Sequence, residues 1–397
     1  MKSSISESII RGVRGQGARS EDAVMNFFIT LTTACDLQCR YCYGECCDDF
    51  DESGDHEDID YSLPRDLGCE SAALKSFIEK DPDATLIFYG GEPLLNIKKM
   101  YELMDTLPAR RFMLHTNGTM LHKVKPEYLN RLHTISISLD GDEALTDYDR
   151  GEGVYQKIMA NARLIRKNGF KGETIARMTV TEDCDIYSQA LYLLNNPDFC
   201  FDSVHWQLNA LFWKNDYQRR HFAQWAKDSY NPGIDLLIKE WVRVMREEGK
   251  VLRMYPFMSV MRSMLLHEKT LLRCGAGWAE FNIQTDGKIS PCPVMSGMKA
   301  YYAGDIASDH PLKLKQTLIS GPCKGCDILN ICGGRCLYAN VTVKWGDAGF
   351  KEVCATIKNM VSGLLAVLPE IRQLIKEGKI SLRDFEHTKF NSCEIIP

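Results

Sequence analysis

The chain has 397 residues, of which 45% are hydrophobic and 25% are charged, and its formal net charge at pH 7 is −5. This length and composition predict a globular protein of two or three domains. The basic pairs are isolated, and no apolar run approaches the roughly 18 residues that span a bilayer, so we expect neither a nucleic-acid partner nor a membrane location. The polar N-terminal segment lacks the apolar core of a signal peptide, which favours a cytoplasmic protein.

Strand and helix patterns alternate from about residue 26 to residue 210. Strands are predicted at 27–31, 85–89, 111–115, 134–139, 175–181 and 204–208. Helices are predicted between them at 71–80, 98–105, 126–132, 155–168 and 188–195. Six such repeats predict a parallel sheet, either open or closed into a partial barrel. A helical stretch at 233–248 and a terminal helix at 354–376 follow, on either side of a cysteine-rich segment.

Three cysteines, Cys35, Cys39 and Cys42, follow the first predicted strand with the spacing C-x3-C-x2-C. A 4Fe–4S cluster normally takes four thiolates, so a close triplet predicts a cluster with one iron open to a small molecule. The end of a parallel strand is also where such folds place their chemistry. Taken alone, the triplet is also compatible with a zinc site or with three unrelated thiols.

The next three predicted strands end in motifs that are individually common at turns. They are Gly90-Gly91-Glu92-Pro93, then Thr116-Asn117-Gly118, and then Ser138-Leu139-Asp140-Gly141. Two adjacent glycines allow the backbone to approach a ligand closely, and a carboxylate there can accept a hydrogen bond from an ammonium group. Together with the cysteine triplet, the three motifs follow four successive strands, which would bring them to one edge of the sheet. It is this combination that indicates a site.

Through the C-x3-C-x2-C triplet and the Gly-Gly-Glu-Pro turn, the chain resembles the radical S-adenosylmethionine (SAM) superfamily. The resemblance implies that Cys35, Cys39 and Cys42 hold the catalytic cluster and that SAM chelates its open iron. An electron from the cluster then yields a 5′-deoxyadenosyl radical that abstracts a hydrogen atom from the substrate. The resemblance implies that Gly91 and Glu92 hold the methionine amino group, that Ser138 lies near the ribose and carboxylate, that Tyr41 or Tyr43 lies near the adenine, and that Arg150 or Arg177 reaches the carboxylate. The other residues that it places at the SAM site are Gly90, Pro93, Asn117 and Asp140.

Seven cysteines form a second group, and two zinc sites are its simpler interpretation. Their order is also similar to that of the SPASM domain, which implies two auxiliary clusters and therefore three 4Fe–4S clusters in all. By that resemblance the outer cluster is held by Cys323, Cys326, Cys332 and Cys354, and the inner one by Cys274, Cys292 and Cys336. Where some members have a fourth inner cysteine, this chain has Glu268 beside His267. The fourth iron of the inner cluster then has one of three states. It is open and could bind a substrate thiolate, it has a ligand other than cysteine, or it is bound by one of the unassigned cysteines.

The implied fold class is α/β, a partial (β/α)6 TIM-like barrel followed by a small SPASM domain and a C-terminal helix. The expected domains are an N-terminal extension (1–25), the barrel (26–235), a helical bridge (236–265), the SPASM domain (266–360), and the helix with its tail (361–397). Between residues 45 and 60 there are nine acidic residues and no Lys or Arg. This segment is either a solvated surface loop or a guard at the mouth of the site.

The resemblance implies a peptide maturase that abstracts hydrogen from a ribosomally made peptide, which can contain cysteine, and closes a thioether C–S or C–C crosslink. Its expected partners are that peptide and a reductant such as flavodoxin or ferredoxin. The peptide is recognised either by a separate peptide-recognition protein or by direct binding of its leader to the barrel. One alternative is a sulfatase-type maturase that makes formylglycine, although Pro293 stands where those enzymes carry an aspartate. The other is a non-catalytic electron carrier, which has no use for the Gly-Gly-Glu-Pro turn.

Six cysteines remain unassigned, and buried free cysteines usually act as small hydrophobic residues. They are Cys46, Cys47, Cys69, Cys184, Cys200 and Cys393. Trp206, in the last predicted strand, either faces the substrate or packs in the core.

Overall fold

Six parallel strands alternate with helices along the first half of the chain. The computed structural model describes residues 25–42, 58–213 and 216–397. Its strands are β1 (Asn26–Thr32), β2 (Thr85–Gly90), β3 (Arg111–Thr116), β4 (Leu132–Ser138), β5 (Glu173–Val180), β6 (Ser203–Leu208), β7 (Glu280–Ile283), β8 (Lys288–Ser290) and β9 (Gly304–Asp305). All six strands predicted from the sequence are present, with ends that differ by two residues or fewer.

Twelve α-helices are found in the described residues. They are α1 (Ser71–Ile78), α2 (Ile97–Thr106), α3 (Pro126–Leu129), α4 (Glu143–Arg150), α5 (Val154–Lys167), α6 (Ile186–Leu194), α7 (Phe222–Trp225), α8 (Asn231–Glu248), α9 (Tyr255–Leu266), α10 (Leu329–Cys332), α11 (Leu337–Thr342) and α12 (Gly346–Lys376). The predicted helical bridge consists of the end of α8 together with α9. The expected domain boundary at residue 360 lies within α12, which is continuous across it.

The strands form one sheet in the order β6-β5-β4-β3-β2-β1-β7-β8-β9. β1 to β7 are parallel, whereas β8 and β9 are antiparallel. β7 lies against β1 with Asn26 opposite Glu280. The cysteine-rich segment therefore extends the same sheet that carries the first cysteine triplet.

β1 shows why these segments form strands. All seven of its residues, NFFITLT, are buried, as is typical of a parallel strand covered on both faces. Phe27, Ile29 and Leu31 join the main core beneath the helices, whereas Phe28 belongs to a separate small cluster on the other face. That other face also carries Thr30, whose hydroxyl donates to Asn282 at 2.9 Å. The inner face of the sheet is thus partly polar.

The C-terminal tail crosses this inner face. The side-chain amide of Asn26 in β1 donates to the carbonyl oxygens of Lys389 and Phe390. Further along the tail, the Cys393 sulfur lies 3.9 Å from the hydroxyl of Ser136 in β4. Because β1 and β4 are three strands apart, and Cys393 and Ile396 are fully buried, the tail fills the concave side of the sheet.

One helix in the described part of the chain, α12, is long and apolar enough to cross a membrane by length and composition alone. Its apolar residues pack against α8 and α9, as expected for a helix that covers the core of a folded domain.

Candidate active site

The first cysteine triplet lies in the loop that leaves β1. The amide of Cys42 donates to the Cys39 carbonyl at 2.9 Å, and the amide of Arg40 donates to the Asp149 carbonyl at 2.9 Å. Burial raises the pKa of Cys39 to about 11 and also raises the pKa of Cys35. The thiols of Cys35 and Cys39 are therefore protonated at neutral pH, and a metal group would displace those protons on binding.

The Gly-Gly-Glu turn is fixed directly against this loop. The amide of Gly91 donates to the Thr32 carbonyl at 2.9 Å, and that of Glu92 donates to the Ala34 carbonyl at 2.8 Å. A Cβ on Gly91 would lie 2.3 Å from the Ala34 oxygen, so only glycine allows this approach. The structure therefore joins the first two strand-end motifs into one unit.

Glu92 is fully buried at the centre of that unit. Its carboxylate accepts hydrogen bonds from the Thr116 hydroxyl at 2.8 and 2.9 Å, from the Asn117 amide at 2.8 Å and from the Leu94 amide at 3.0 Å. Burial raises the pKa of Glu92 to about 7, and these hydrogen bonds oppose the rise. Near neutral pH the group is thus poised between its neutral and charged forms, and a cation bound beside it would favour the carboxylate. Pro93 begins the turn that follows.

The third motif completes the contact with the cysteines. The Asn117 side chain donates to Asp36 at 2.7 Å and lies 3.8 Å from the Cys35 sulfur. Asp36 also accepts from the Thr119 hydroxyl at 2.6 Å. Asp36 was missed from the sequence, although its position immediately after Cys35 was a usable signal.

A second polar group surrounds Asp140 after β4. Arg150 donates to it through Nε at 2.7 Å and through Nη2 at 2.9 Å, and the Tyr41 hydroxyl donates at 2.6 Å. The Thr179 amide donates at 2.9 Å. The Arg150 guanidinium also lies 5.4 Å from the centre of the Tyr41 ring. Arg150 and Asp140 are thus committed to each other, and together they position Tyr41.

The other candidate arginine, Arg177, lies in β5 directly opposite Ser138 in β4. Its Nη2 donates to the Gln207 side chain at 3.0 Å, while its buried Nε has no hydrogen-bond partner. His205 lies on the adjacent strand, where it is fully buried beside the backbone of Ile395 in the C-terminal tail. Trp206 points the other way, since its indole donates to Tyr230 at 3.0 Å and packs on Phe257. The core interpretation of Trp206 is therefore confirmed.

Five cysteines of the C-terminal segment line one pocket, together with the buried Arg335. They are Cys323, Cys326, Cys332, Cys336 and Cys354. Burial raises the pKa of Cys323 and of Cys354 to about 11. A pocket lined by five soft sulfur donors suits a polynuclear iron–sulfur cluster. Among residues 25–42, 58–213 and 216–397, no three Cys, His, Asp or Glu side chains converge on the position of a single metal ion, as a zinc site requires.

Cys274, Cys292 and Cys336 form an adjacent buried set. Burial raises the pKa of Cys274 and Cys292 far above the usual value, and the thiols are close enough to raise one another's pKa further. The negative charge of Glu280, the first residue of β7, also raises the pKa of Cys274 and of Cys292. Glu280 was not identified from the sequence.

The residues at the missing fourth position point away from this set. The carboxylate of Glu268 binds Arg262 at 2.8 and 2.9 Å and lies 3.5 Å from Lys389. His267 is exposed and lies 3.2 Å from the Arg372 guanidinium.

Other predicted residues are dispersed. Tyr43, Cys46, Cys47 and most of the acidic segment lie outside the described residues; the last three residues of that segment contact the stretch around Met298 and Lys299. Cys184 is buried and Cys200 is exposed, with its thiol donating to the Asn196 carbonyl.

Comparison with known proteins agrees with this geometry. Residues 29–183 match the family model of the radical SAM superfamily. The cysteine-type anaerobic sulfatase-maturating enzyme of Clostridium perfringens is 21% identical over 355 residues, which cover 82% of this chain and 92% of that enzyme.

Two solved structures are similar in fold. Native anSMEcpe with bound AdoMet and Cp18Cys peptide has a TM-score of 0.65 at 17% identity, over 88% of this chain and 99% of that one. Streptococcus suis SuiB bound to S-adenosylmethionine has a TM-score of 0.52 at 16% identity, over 79% and 73% of the two chains. With the cysteine triplet and the buried Glu92 beside it, these matches show that the chain carries a radical SAM domain and is an enzyme whose family uses SAM and a 4Fe–4S cluster.

Proposed function

We propose that this enzyme modifies a peptide by hydrogen abstraction followed by oxidative formation of a thioether C–S or C–C crosslink. The proposal includes three 4Fe–4S clusters: one at the first cysteine triplet and two auxiliary clusters in the C-terminal segment. The observation that carries it is the pair of neighbouring cysteine sets in the C-terminal segment, which meet at Cys336, because an oxidative crosslink needs an acceptor for the electron that the substrate loses. The similar anSMEcpe structure contains a bound peptide, which supports a peptide as substrate.

The residues around Glu92 fit the methionine end of SAM. The Glu92 carboxylate would accept from the amino group, and Gly90 and Gly91 let the cysteine loop pack directly against the turn that carries it. Arg177 is the better partner for the carboxylate of SAM, because its Nε has no hydrogen-bond partner. Arg150 already donates two hydrogen bonds to Asp140. When bound, SAM and its cluster supply the abstraction of a hydrogen atom, and the auxiliary clusters supply electron acceptance.

Tyr41 is held in place for a contact with the adenine. Its hydroxyl is bonded to Asp140, so the face of the ring is what remains for stacking. Ser138 lies directly opposite Arg177 in the sheet, where it could contact the ribose or the carboxylate of SAM. Asn117 positions the cysteine loop through Asp36 rather than through SAM.

A second candidate function is formylglycine formation, favoured by the similarity to a sulfatase-maturating enzyme over 92% of its length. Against it stands Pro293, which follows Cys292 and has no side chain that can accept a proton. The two functions differ in their products. A thioether joins two residues with the loss of two hydrogen atoms, whereas formylglycine made from cysteine replaces sulfur by oxygen and carries an aldehyde.

The test begins with the enzyme alone. The chain is loaded anaerobically with iron and sulfide, supplied with SAM and dithionite, and assayed for 5′-deoxyadenosine. The Cys35/Cys39/Cys42→Ala variant is expected to lose that product while keeping about eight irons, four for each auxiliary cluster. Short peptides encoded beside the gene are then coexpressed with the enzyme and analysed by mass spectrometry. A peptide with a hydrazide-reactive aldehyde would replace the crosslinking proposal with the formylglycine one.

The same proposal covers the expected partners and location. It requires a one-electron reductant of the flavodoxin or ferredoxin type and a cytoplasmic location, where the thiols stay reduced. A separate peptide-recognition protein completes the scheme.

A further inference from the structure

We propose that the Glu280 carboxylate is the fourth ligand of the inner auxiliary cluster, in place of the missing cysteine. This inference rests on the proposed function, since it presumes that Cys274, Cys292 and Cys336 hold a 4Fe–4S cluster. The sequence left the fourth ligand of the inner cluster undetermined. The residue proposed here lies six positions after Cys274, whereas the missing cysteine would lie six positions before it.

The backbone brings Glu280 back onto the Cys274 loop. The amide of Glu280 donates to the Gly275 carbonyl at 2.7 Å, and its carbonyl accepts from the Gly277 amide at 3.0 Å. A Cβ on Gly275 would lie 3.0 Å from the Glu280 Cβ. The glutamate side chain therefore starts in contact with the residue that follows Cys274.

The carboxylate is buried without a full set of partners. Glu280 is 1% exposed, and its Oε2 has no hydrogen-bond partner. The backbone of Ser392 and the guanidinium of Arg177 are the groups that favour its charge. Arg177 already donates a hydrogen bond to Gln207, and burial of an incompletely paired carboxylate is unfavourable. An iron ion beside Oε2 would supply the missing partner.

The residues at the position of the missing cysteine have other surroundings: Glu268 is bound to Arg262, and His267 is exposed. Of the unassigned cysteines in the described residues, Cys393 is fully buried on the inner face, where its sulfur lies beside the Ser136 hydroxyl. Cys393 is not among the groups that raise the pKa of Cys274 or Cys292. Of the described side chains, Glu280 is the carboxylate that acts on both Cys274 and Cys292.

The consequence concerns the substrate. With Glu280 on the fourth iron, the inner cluster has no open site, so a substrate thiolate does not bind it in the resting enzyme. Oxygen ligation in place of sulfur also changes the reduction potential and the lability of that iron.

The experiment uses the Cys35/Cys39/Cys42→Ala variant as parent, because it isolates the auxiliary clusters. Glu280→Ala, Glu280→Cys and the matched controls Glu268→Gln and Cys393→Ser are made in that parent. Each is measured for iron and sulfide content, for the change that cyanide makes in the EPR spectrum of the reduced protein, and for conversion to a 3Fe–4S cluster by ferricyanide.

We expect about eight irons and no cyanide response in the parent and in both controls. Glu280→Ala should bind cyanide and convert one cluster per chain to the 3Fe–4S form, whereas Glu280→Cys should resist both. A cyanide response in the parent itself, or a Glu280→Ala spectrum identical to the parent's, would overturn the proposal. If Glu280→Ala fails to fold, the parent and Glu280→Cys still decide it. Fewer than about eight irons in the parent would instead refute the auxiliary clusters, and the proposed function with them.

Discussion

Replacing Glu92 by glutamine tests the proposed SAM site most directly. The substitution keeps the size of the side chain but replaces one acceptor oxygen with an NH2 group. Both carboxylate oxygens accept from donors, and the amide hydrogen of Asn117 cannot reverse its direction. A buried donor facing a donor costs about 1–3 kcal/mol, and loss of the charge removes a hydrogen bond worth about 1.5–3 kcal/mol to the ammonium group of SAM. SAM binding should therefore weaken by at least about tenfold.

The affinity for SAM should also depend on pH, and its direction follows from the pKa of Glu92. Because burial raises the pKa of Glu92 to about 7, the carboxyl is increasingly neutral below that pH, and a neutral carboxyl does not hold an ammonium group by charge. The apparent Kd for SAM should rise by up to about tenfold for each pH unit below 7. The same ionisation opposes folding, so the contribution of Glu92 to the free energy of unfolding falls as the pH rises from 4.5 to about 7.

The assay is anaerobic equilibrium dialysis of SAM against the iron-loaded enzyme between pH 6 and 8. Glu127→Gln, an exposed glutamate at the start of α3, is the control and should bind SAM as the unmodified enzyme does. Glu92→Gln should bind weakly and without the dependence on pH. Equal affinity in the two variants, or a pH dependence that survives in Glu92→Gln, would refute the assignment of Glu92 to the amino group.

Three further predictions follow from buried contacts. Asp140→Asn leaves a buried guanidinium without its charged partner and should lower the free energy of unfolding by about 3–5 kcal/mol in urea titrations, whereas Asp105→Asn, which loses an exposed ion pair, should cost less than about 1 kcal/mol. Gly91→Ala should displace the cysteine loop and reduce bound iron by about four per chain, while Gly68→Ala, whose new Cβ makes only ordinary contacts, should not. Deleting residues 388–397 should open the inner face to water, and we expect 5′-deoxyadenosine to form faster without peptide, as measured by chromatography; an unchanged rate would show that the tail does not limit access.

The strands were predictable because each is a short apolar run bounded by turn residues. α4 was missed because the face that it buries, Leu145, Thr146, Asp149 and Arg150, is mostly polar. Its signal was Asp142, whose side chain accepts from the Leu145 amide at 2.9 Å. α9 was expected only as part of a bridge, since nearly all of its residues are buried and it shows no amphipathic pattern. A periodic pattern of apolar residues indicates a helix that is buried on one side. Such a pattern is absent from a helix that is buried on all sides, so the helix cannot be predicted from it.

The site was predictable where its ligands lie close together in the chain. The cysteine triplet and the Gly-Gly-Glu turn are local motifs, and the structure joins them through Thr32 and Ala34. The positions of Glu280 and of the tail could not be predicted, because they depend on the pairing between β7 and β1 and on contacts between residues 364 positions apart in the chain. A lone glutamate at the start of a short strand carries no local signal.

The pairing of β7 with β1 also fixes the separation between the two ends of the site. Asn26, at the start of β1, is opposite Glu280, while the first cysteine triplet follows Thr32 at the other end of the same strand. Six residues of strand span about 20 Å, so the proposed SAM site and inner cluster lie at opposite ends of one strand. The C-terminal tail lies on the polar inner face between them. Under the proposed function, a peptide residue bound there in place of the tail would meet SAM from one side and the inner cysteines from the other, as a reaction that removes a hydrogen atom and then an electron requires.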